Sequence, residues 1–273
     1  MFSRDSFLAT VCTNVEERTK KVLIVLLDLC LLTLWYSIPF QEKIRITSPE
    51  CYKDISTEQV THIFRSSTST EIPLLSKRVE HLQEAGKILS EQYNNSVANL
   101  VLECNNSART LMNKIVQLFL SFRDEGNFEN QKVAFYKRAQ IFVADVWACF
   151  EGRGYGKFDD IGSLTMFADY RVPQALQFLG ILKYSDELQE RIKKEEEIKA
   201  LSRDEMEIRG CSIHAVECLR ENIENIVGAS GKNGAQNEEL NSVIIDFYLW
   251  DYATINSSKM VDFPEHRTRG HFY

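Results

Sequence analysis

The chain has 273 residues, 44% of them hydrophobic and 26% charged, with 12 glycines and 5 prolines. That balance excludes a disordered or collagen-like chain and suffices for a large buried core. The net charge of -7 excludes a protein that coats nucleic acid through bulk electrostatics, and leaves room for a local cationic pocket.

The first feature in chain order is an apolar run over residues 22–40, about as long as a bilayer requires. Arg18, Lys20 and Lys21 precede it, and Trp35 and Tyr36 stand near its far end, as in a signal anchor. Asp28 in mid-run is costly in lipid, and Pro39 ends the helix early. A buried core helix or an atypical start to the chain is therefore favoured over a membrane anchor.

Helical signals dominate the rest of the chain. Ser56 or Thr57 is expected to cap a short helix through Arg65, with Val60, Ile63 and Phe64 on one face. Pro73 is expected to open a longer one carrying Leu74, Leu75, Val79, Leu82, Ile88 and Leu89 at a 3.6 period. Ser96 opens another that runs on to Phe119. The stretch RDEGNFENQ reads as a break, with a helix after it from about Lys132 to Glu151. Residues 152–163 form a glycine-rich loop, and Pro173 starts the next helix. A charged surface helix covers residues 183–205, Ser212 caps a helix through Val227, and residues 240–252 make the last strong one. The expected class is mainly α, with at most minor strands.

The chain's seven cysteines form no C-x-x-C pair and leave one unmatched, which favours reduced thiols in a cytoplasmic protein. The five histidines lack H-E-x-x-H or i,i+4 pairing, so no metal is expected. There is no G-x-S-x-G. The segment 152–157 lacks phosphate-loop spacing and comes after a helical pattern instead of a strand, so a turn is the better reading.

Three segments carry candidate chemistry. In Phe167-Ala168-Asp169-Tyr170-Arg171, a polar triplet enters the helix at Pro173. A carboxylate there can be fixed by backbone N–H groups. The plainer account is that Asp169 only caps the helix and Arg171 pairs with it. In residues 246–252, aromatics beside acids suit a planar base, although a core-facing aromatic stripe is the preferred account of the pattern on its own. In Tyr136-Lys137-Arg138-Ala139-Gln140, two cations suit a phosphate, or ordinary solvated charge at a helix start.

Taken together and in order, these segments resemble the queuosine salvage family, the queuosine 5'-phosphate N-glycosylases/hydrolases. The matching stretches include ITSPECYKDISTEQV, HLQEAGKIL, NSARTLMNKIV, EIRGCSIHAVE and NSVIIDFYLWDYA, with MFADYR-P and LWDYA the most specific. They cover about residues 44–273, which defines one domain after an atypical segment 1–43. The resemblance implies a helical fold distantly similar to helix-hairpin-helix DNA glycosylases. It implies hydrolysis of queuosine 5'-monophosphate to queuine, for reuse in tRNA modification, and ribose 5-phosphate, with no metal or organic cofactor. The partner is thus a small molecule. No direct nucleic-acid partner or stable membrane association is expected, and oligomeric state is left open.

On that resemblance, Asp169 is the expected catalytic carboxylate and Lys137 its assistant. Asp251 is the candidate for the edge of the base. Phe167, Trp250 and Tyr252 are candidates for stacking, and Tyr170, Arg171 and Arg138 for ribose or phosphate. Residues 1 to about 40 carry nothing like the aromatic Phe-x-Phe-Trp-type segment of the family's pocket. The alternative reading is therefore a catalytically impaired nucleotide- or queuine-binding protein. A DNA glycosylase is disfavoured, because no basic stripe tracks a duplex.

Overall fold

The computed structural model describes residues 48–66, 68–69, 72–229 and 240–273. The apolar run and the whole segment 1–43 lie outside the described residues, as does most of the loop before Leu240. Within them the protein is mainly α-helical, with one two-stranded sheet. No helix among the described residues is long and apolar enough to cross a membrane. The chain divides into two compact units. One holds the residues before Asp124 together with Ile141–Asp160; the other holds Asp124–Gln140 and Ile161–Tyr273.

The first unit contains α1 (Pro49–Tyr52), α2 (Thr57–Ile63), α3 (Leu75–Gln92), α4 (Val97–Leu102) and α5 (Ala108–Leu118). Ser56 caps α2 in a reciprocal box: its hydroxyl accepts from the Gln59 N–H at 3.2 Å, and the Gln59 side chain accepts from the Ser56 N–H at 2.8 Å. Pro73 does not open α3. Leu74 turns left-handed at φ 57°, the helix starts at Leu75, and the Pro73 carbonyl accepts from Arg78 Nε at 2.9 Å.

The single helix expected from Ser96 to Phe119 is two. Asn105 and Asn106 take left-handed φ of 48° and 62°, a conformation asparagine tolerates. Ser107 then caps α5, and the Asp160 carboxylate accepts from the Ala108 N–H at 2.5 Å and the Ser107 hydroxyl at 2.8 Å. Tyr52, Leu82, Leu89, Leu100, Leu111 and Phe119 are fully buried here.

Gly86 lets α3 approach α1. A Cβ on it would stand 2.5 Å from the Lys53 backbone nitrogen and 2.6 Å from its Cα. Alanine is the better helix former by about 1 kcal/mol, but backbone atoms cannot swing aside. Gly86→Ala is therefore expected to destabilise the protein by about 1–3 kcal/mol, read as a lowered urea midpoint at unchanged slope.

The second unit opens with a hairpin, β1 (Glu125–Phe128) antiparallel to β2 (Gln131–Ala134). The stretch that reads as a break is this hairpin. Its tight turn puts Glu129 and Asn130 at positive φ, 47° and 65°, the twist that two-residue hairpins need. Lys132 consequently lies in β2, and α6 (Lys137–Cys149) starts five residues later than its pattern suggests. Its first turn belongs to this unit.

Then come α7 (Arg171–Phe178), α8 (Asp186–Lys193), α9 (Arg203–Ala229) and α10 (Ser242–Ile255). α7 begins before Pro173, which sits in the first turn, where its missing N–H costs nothing. The charged helix expected over 183–205 ends at Lys193, because Glu195 and Leu201 turn left-handed. Ser212 caps nothing. It lies inside α9, and its hydroxyl donates to the Ile208 carbonyl at 2.7 Å. α7, α9 and α10 share a core of Met166, Val172, Leu176, Val216, Leu249 and Ala253.

Candidate functional site

The polar residues of interest gather in the second unit, where the segment 164–168 delivers Asp169 to the start of α7. Asp169 is buried, 8% exposed, and its Oδ1 accepts from the Arg171 N–H at 2.9 Å and the Val172 N–H at 3.0 Å. The helix entry therefore fixes one carboxylate oxygen. Oδ2 has no hydrogen bond among the described residues. Burial pushes the Asp169 carboxyl above the usual carboxylate range; Lys137 and the two N–H groups only partly offset this.

Lys137, at the start of α6, is 6% exposed. Its ammonium lies 5.3 Å from the centre of the Tyr273 ring and makes no ion pair within 4 Å among the described residues. Burial lowers its pKa, Asp169 opposes that, and Arg209 adds to it. A buried carboxylate and a buried ammonium thus lie in one another's field.

Beneath them lies an ionic cluster that the sequence did not reveal. Arg209 of α9 is fully buried and forks onto Asp124, with Nη1 to Oδ1 at 3.0 Å and Nη2 on Oδ2. Its Nε donates to the Ala168 carbonyl at 3.1 Å, and Nη1 also reaches Glu205 Oε1 at 3.3 Å. The guanidinium lies 4.0 Å from the Phe135 ring centre. The Tyr273 hydroxyl donates to Glu205 at 2.6 Å, and burial raises its pKa. Asp124 lies far from Arg209 in sequence, whereas Glu205 lies one helical turn away. That Glu205–Arg209 i,i+4 spacing is the only local signal of the cluster.

The remaining predicted residues fall into two groups. Arg138, Tyr170 and Arg171 cluster around the pair. Arg138 is buried and donates to the His271 carbonyl at 3.2 Å. The Arg171 guanidinium lies 6.0 Å from the Tyr170 ring centre, and its ion pair is with Glu265, not with Asp169. Tyr170 is 38% exposed.

Phe167 is buried, and its N–H donates to Asp246 of α10 at 2.8 Å. Its ring meets Phe247 at 6.0 Å. Asp251 is exposed, one helical turn beyond Phe247, and Trp250 is half-buried. Tyr252 packs against Phe178 at 6.3 Å and stacks with Tyr248 at 6.2 Å. Phe167 is tied to Asp169 through the chain, two residues away, whereas Trp250 and Tyr252 sit on α10.

Five described cysteines, Cys51, Cys104, Cys149, Cys211 and Cys218, are free thiols. Among the described residues no group of three His, Cys, Asp or Glu side chains is arranged to hold a metal.

Residues 32–273 match the sequence profile described as "Queuosine salvage protein". The chain belongs to the queuosine salvage family. It is 47% identical over 238 residues to a Nematostella vectensis protein named queuosine 5'-phosphate N-glycosylase/hydrolase, covering 85% of this chain and 68% of that one. It is 48% identical over 230 residues to the Mus musculus protein of that name, covering 84% and 67%. A Bos taurus protein of the same name is 44% identical over 232 residues, covering 85% and 67%. Asp169, Lys137 and the α10 acids all lie inside the matched span.

His266 offers a measurable handle on the cluster. It is 4% exposed, its Nε2 lies 3.3 Å from the Tyr273 hydroxyl, and burial beside Arg209 and Lys137 holds its pKa down at about 4. The unfolded chain binds this proton near pH 6.5, so folding loses stability as pH falls from 6.5 towards 4 and nothing further below that. The loss amounts to about 3 kcal/mol. His266→Gln should flatten that stretch of the stability–pH curve in urea titrations; an unchanged slope would contradict a neutral buried imidazole.

Proposed function

We propose that this protein hydrolyses the N-glycosidic bond of queuosine 5'-phosphate, releasing queuine and ribose 5-phosphate. The observation that carries the reading is the buried Asp169 carboxylate, with one oxygen fixed by two backbone N–H groups and the other unspent beside Lys137. The names of the relatives and the family membership support the substrate.

Breaking the bond places positive charge on the ribose ring. A fixed carboxylate in a water-poor site stabilises that charge far better than one in solvent. Oδ2 of Asp169 faces the anomeric carbon in this account and takes a proton from the attacking water as the bond opens. The raised pKa, set by burial, makes Asp169 a better base than an ordinary carboxylate. Lys137 opposes that rise and favours the ionised form.

The leaving base is a 7-deazaguanine with carbon at position 7, so protonation there cannot assist departure. Contacts to its lactam and amino edge must carry more of the task, and Asp251 is assigned to them. Phe167 and Trp250 would cover the face of the ring. Tyr252, held by Phe178 and Tyr248, would act through that packing. Arg138 and Arg171 would serve the phosphate and Tyr170 the ribose. An acidic chain suits such a substrate, because one mononucleotide needs only a local group of cations. Incubation with queuosine 5'-phosphate, with queuine followed by chromatography, tests the reading.

A further inference from the structure

We propose that the buried Asp124–Arg209 ion pair is a positioning device, holding Lys137 and Asp169 at the separation the reaction needs. The inference rests on the function proposed above. Its basis is a continuous chain of contacts. Arg209 Nε holds the carbonyl of Ala168, the residue before Asp169. Its fork holds both oxygens of Asp124. Asp124 Oδ2 accepts from the Lys137 N–H at 3.4 Å, and the Asp124 carbonyl accepts from the Phe135 N–H at 3.0 Å, fixing the hairpin exit that leads into α6. One guanidinium thus spans the backbones that carry the two reacting side chains, which α6 and a long loop separate along the chain. Asp124 and Arg209 are both 0% exposed, so neither is placed to touch substrate. They are positioning residues.

A buried pair of this kind adds little net stability over an apolar replacement, but it is unforgiving in geometry. Misplacing a reacting group by about 1 Å costs on the order of 10²-fold in rate. The pair also acts through its charges. Lys137 is faced by Asp124, Arg138, Asp169, Arg209, His266 and Tyr273.

The test uses the full chain. Arg209→Gln strands two carboxylates and is apt to unfold, so Asp124→Asn, which is isosteric and keeps an acceptor, carries the test. Thermal melting establishes that it folds. Steady-state release of queuine should then show kcat reduced about 10²-fold with KM changed less than about 3-fold. Arg209→Lys, which keeps the charge but loses both the fork and the hold on Ala168, should lower kcat at least as much. The second readout is the Lys137 side-chain NMR titration, assigned with Lys137→Arg. Its midpoint should move down in Asp124→Asn, because an anion facing the ammonium has gone. A folded Asp124→Asn with wild-type kcat overturns the inference, and so does an unmoved Lys137 midpoint. Wild-type protein that releases no queuine contradicts the proposed function instead, and the titration then decides the positioning role alone.

Discussion

Asp169→Asn should release queuine at least ~10³-fold more slowly than wild type while remaining folded. The two halves of that expectation have separate causes. Asparagine keeps an acceptor oxygen at the position that receives the Arg171 and Val172 N–H groups, so the entry to α7 survives. What it removes is the negative charge and the basic Oδ2, the features a ribosyl cation and an attacking water need. Substrate affinity, measured by calorimetry, should change only a few-fold, since the carboxylate acts mainly in the transition state. Lys137 loses its counter-charge in this variant, so its own pKa falls further below the ordinary lysine range. Turnover near the wild-type rate would remove Asp169 from the mechanism.

Lys137→Met should reduce kcat by about 10²- to 10⁴-fold, with a pH signature that separates it from simple damage. Methionine fills similar volume but leaves the Asp169 charge buried without its partner, so thermal melting must first establish that the variant folds. The activity profile of the wild type is expected to be bell-shaped. Its acid limb is set by Asp169, whose carboxyl burial raises, and its alkaline limb by Lys137, whose ammonium burial lowers. Activity is lost below the first as the carboxylate takes a proton, and above the second as the ammonium gives one up. Without Lys137 the opposing positive charge is gone, so the acid limb should shift to higher pH and the alkaline limb should disappear. A profile of unchanged shape would contradict the electrostatic role.

Much of this arrangement is legible in the sequence where signals are local. The Ser56–Gln59 box marks α2, and the triplet before Pro173 marks a carboxylate at a helix entrance. Local signals fail where the decision is made elsewhere. The break between α4 and α5 rests on two left-handed asparagines and on a cap from Asp160, 52 residues from Ala108. The hairpin is hidden because its turn uses Glu129 and Asn130 in place of a glycine. At the site, Lys137 and Asp169 can be singled out from their segments, but the pair that ties them spans 85 residues, Asp124 to Arg209. No periodicity reports a contact of that range. Nearness in sequence favours pairing of Arg171 with Asp169. Arg171 pairs instead with Glu265, leaving Asp169 to the backbone and to Lys137.

The central claim is that a fixed, buried Asp169 beside Lys137 makes this chain a hydrolase of queuosine 5'-phosphate. The most direct measurement is a side-by-side incubation of wild type and Asp169→Asn with that nucleotide, following queuine and ribose 5-phosphate together. The expected result is equimolar release of both by the wild type and neither at a comparable rate by the variant. Wild-type protein that binds the nucleotide yet releases neither product, or a variant that releases both as fast, would contradict it.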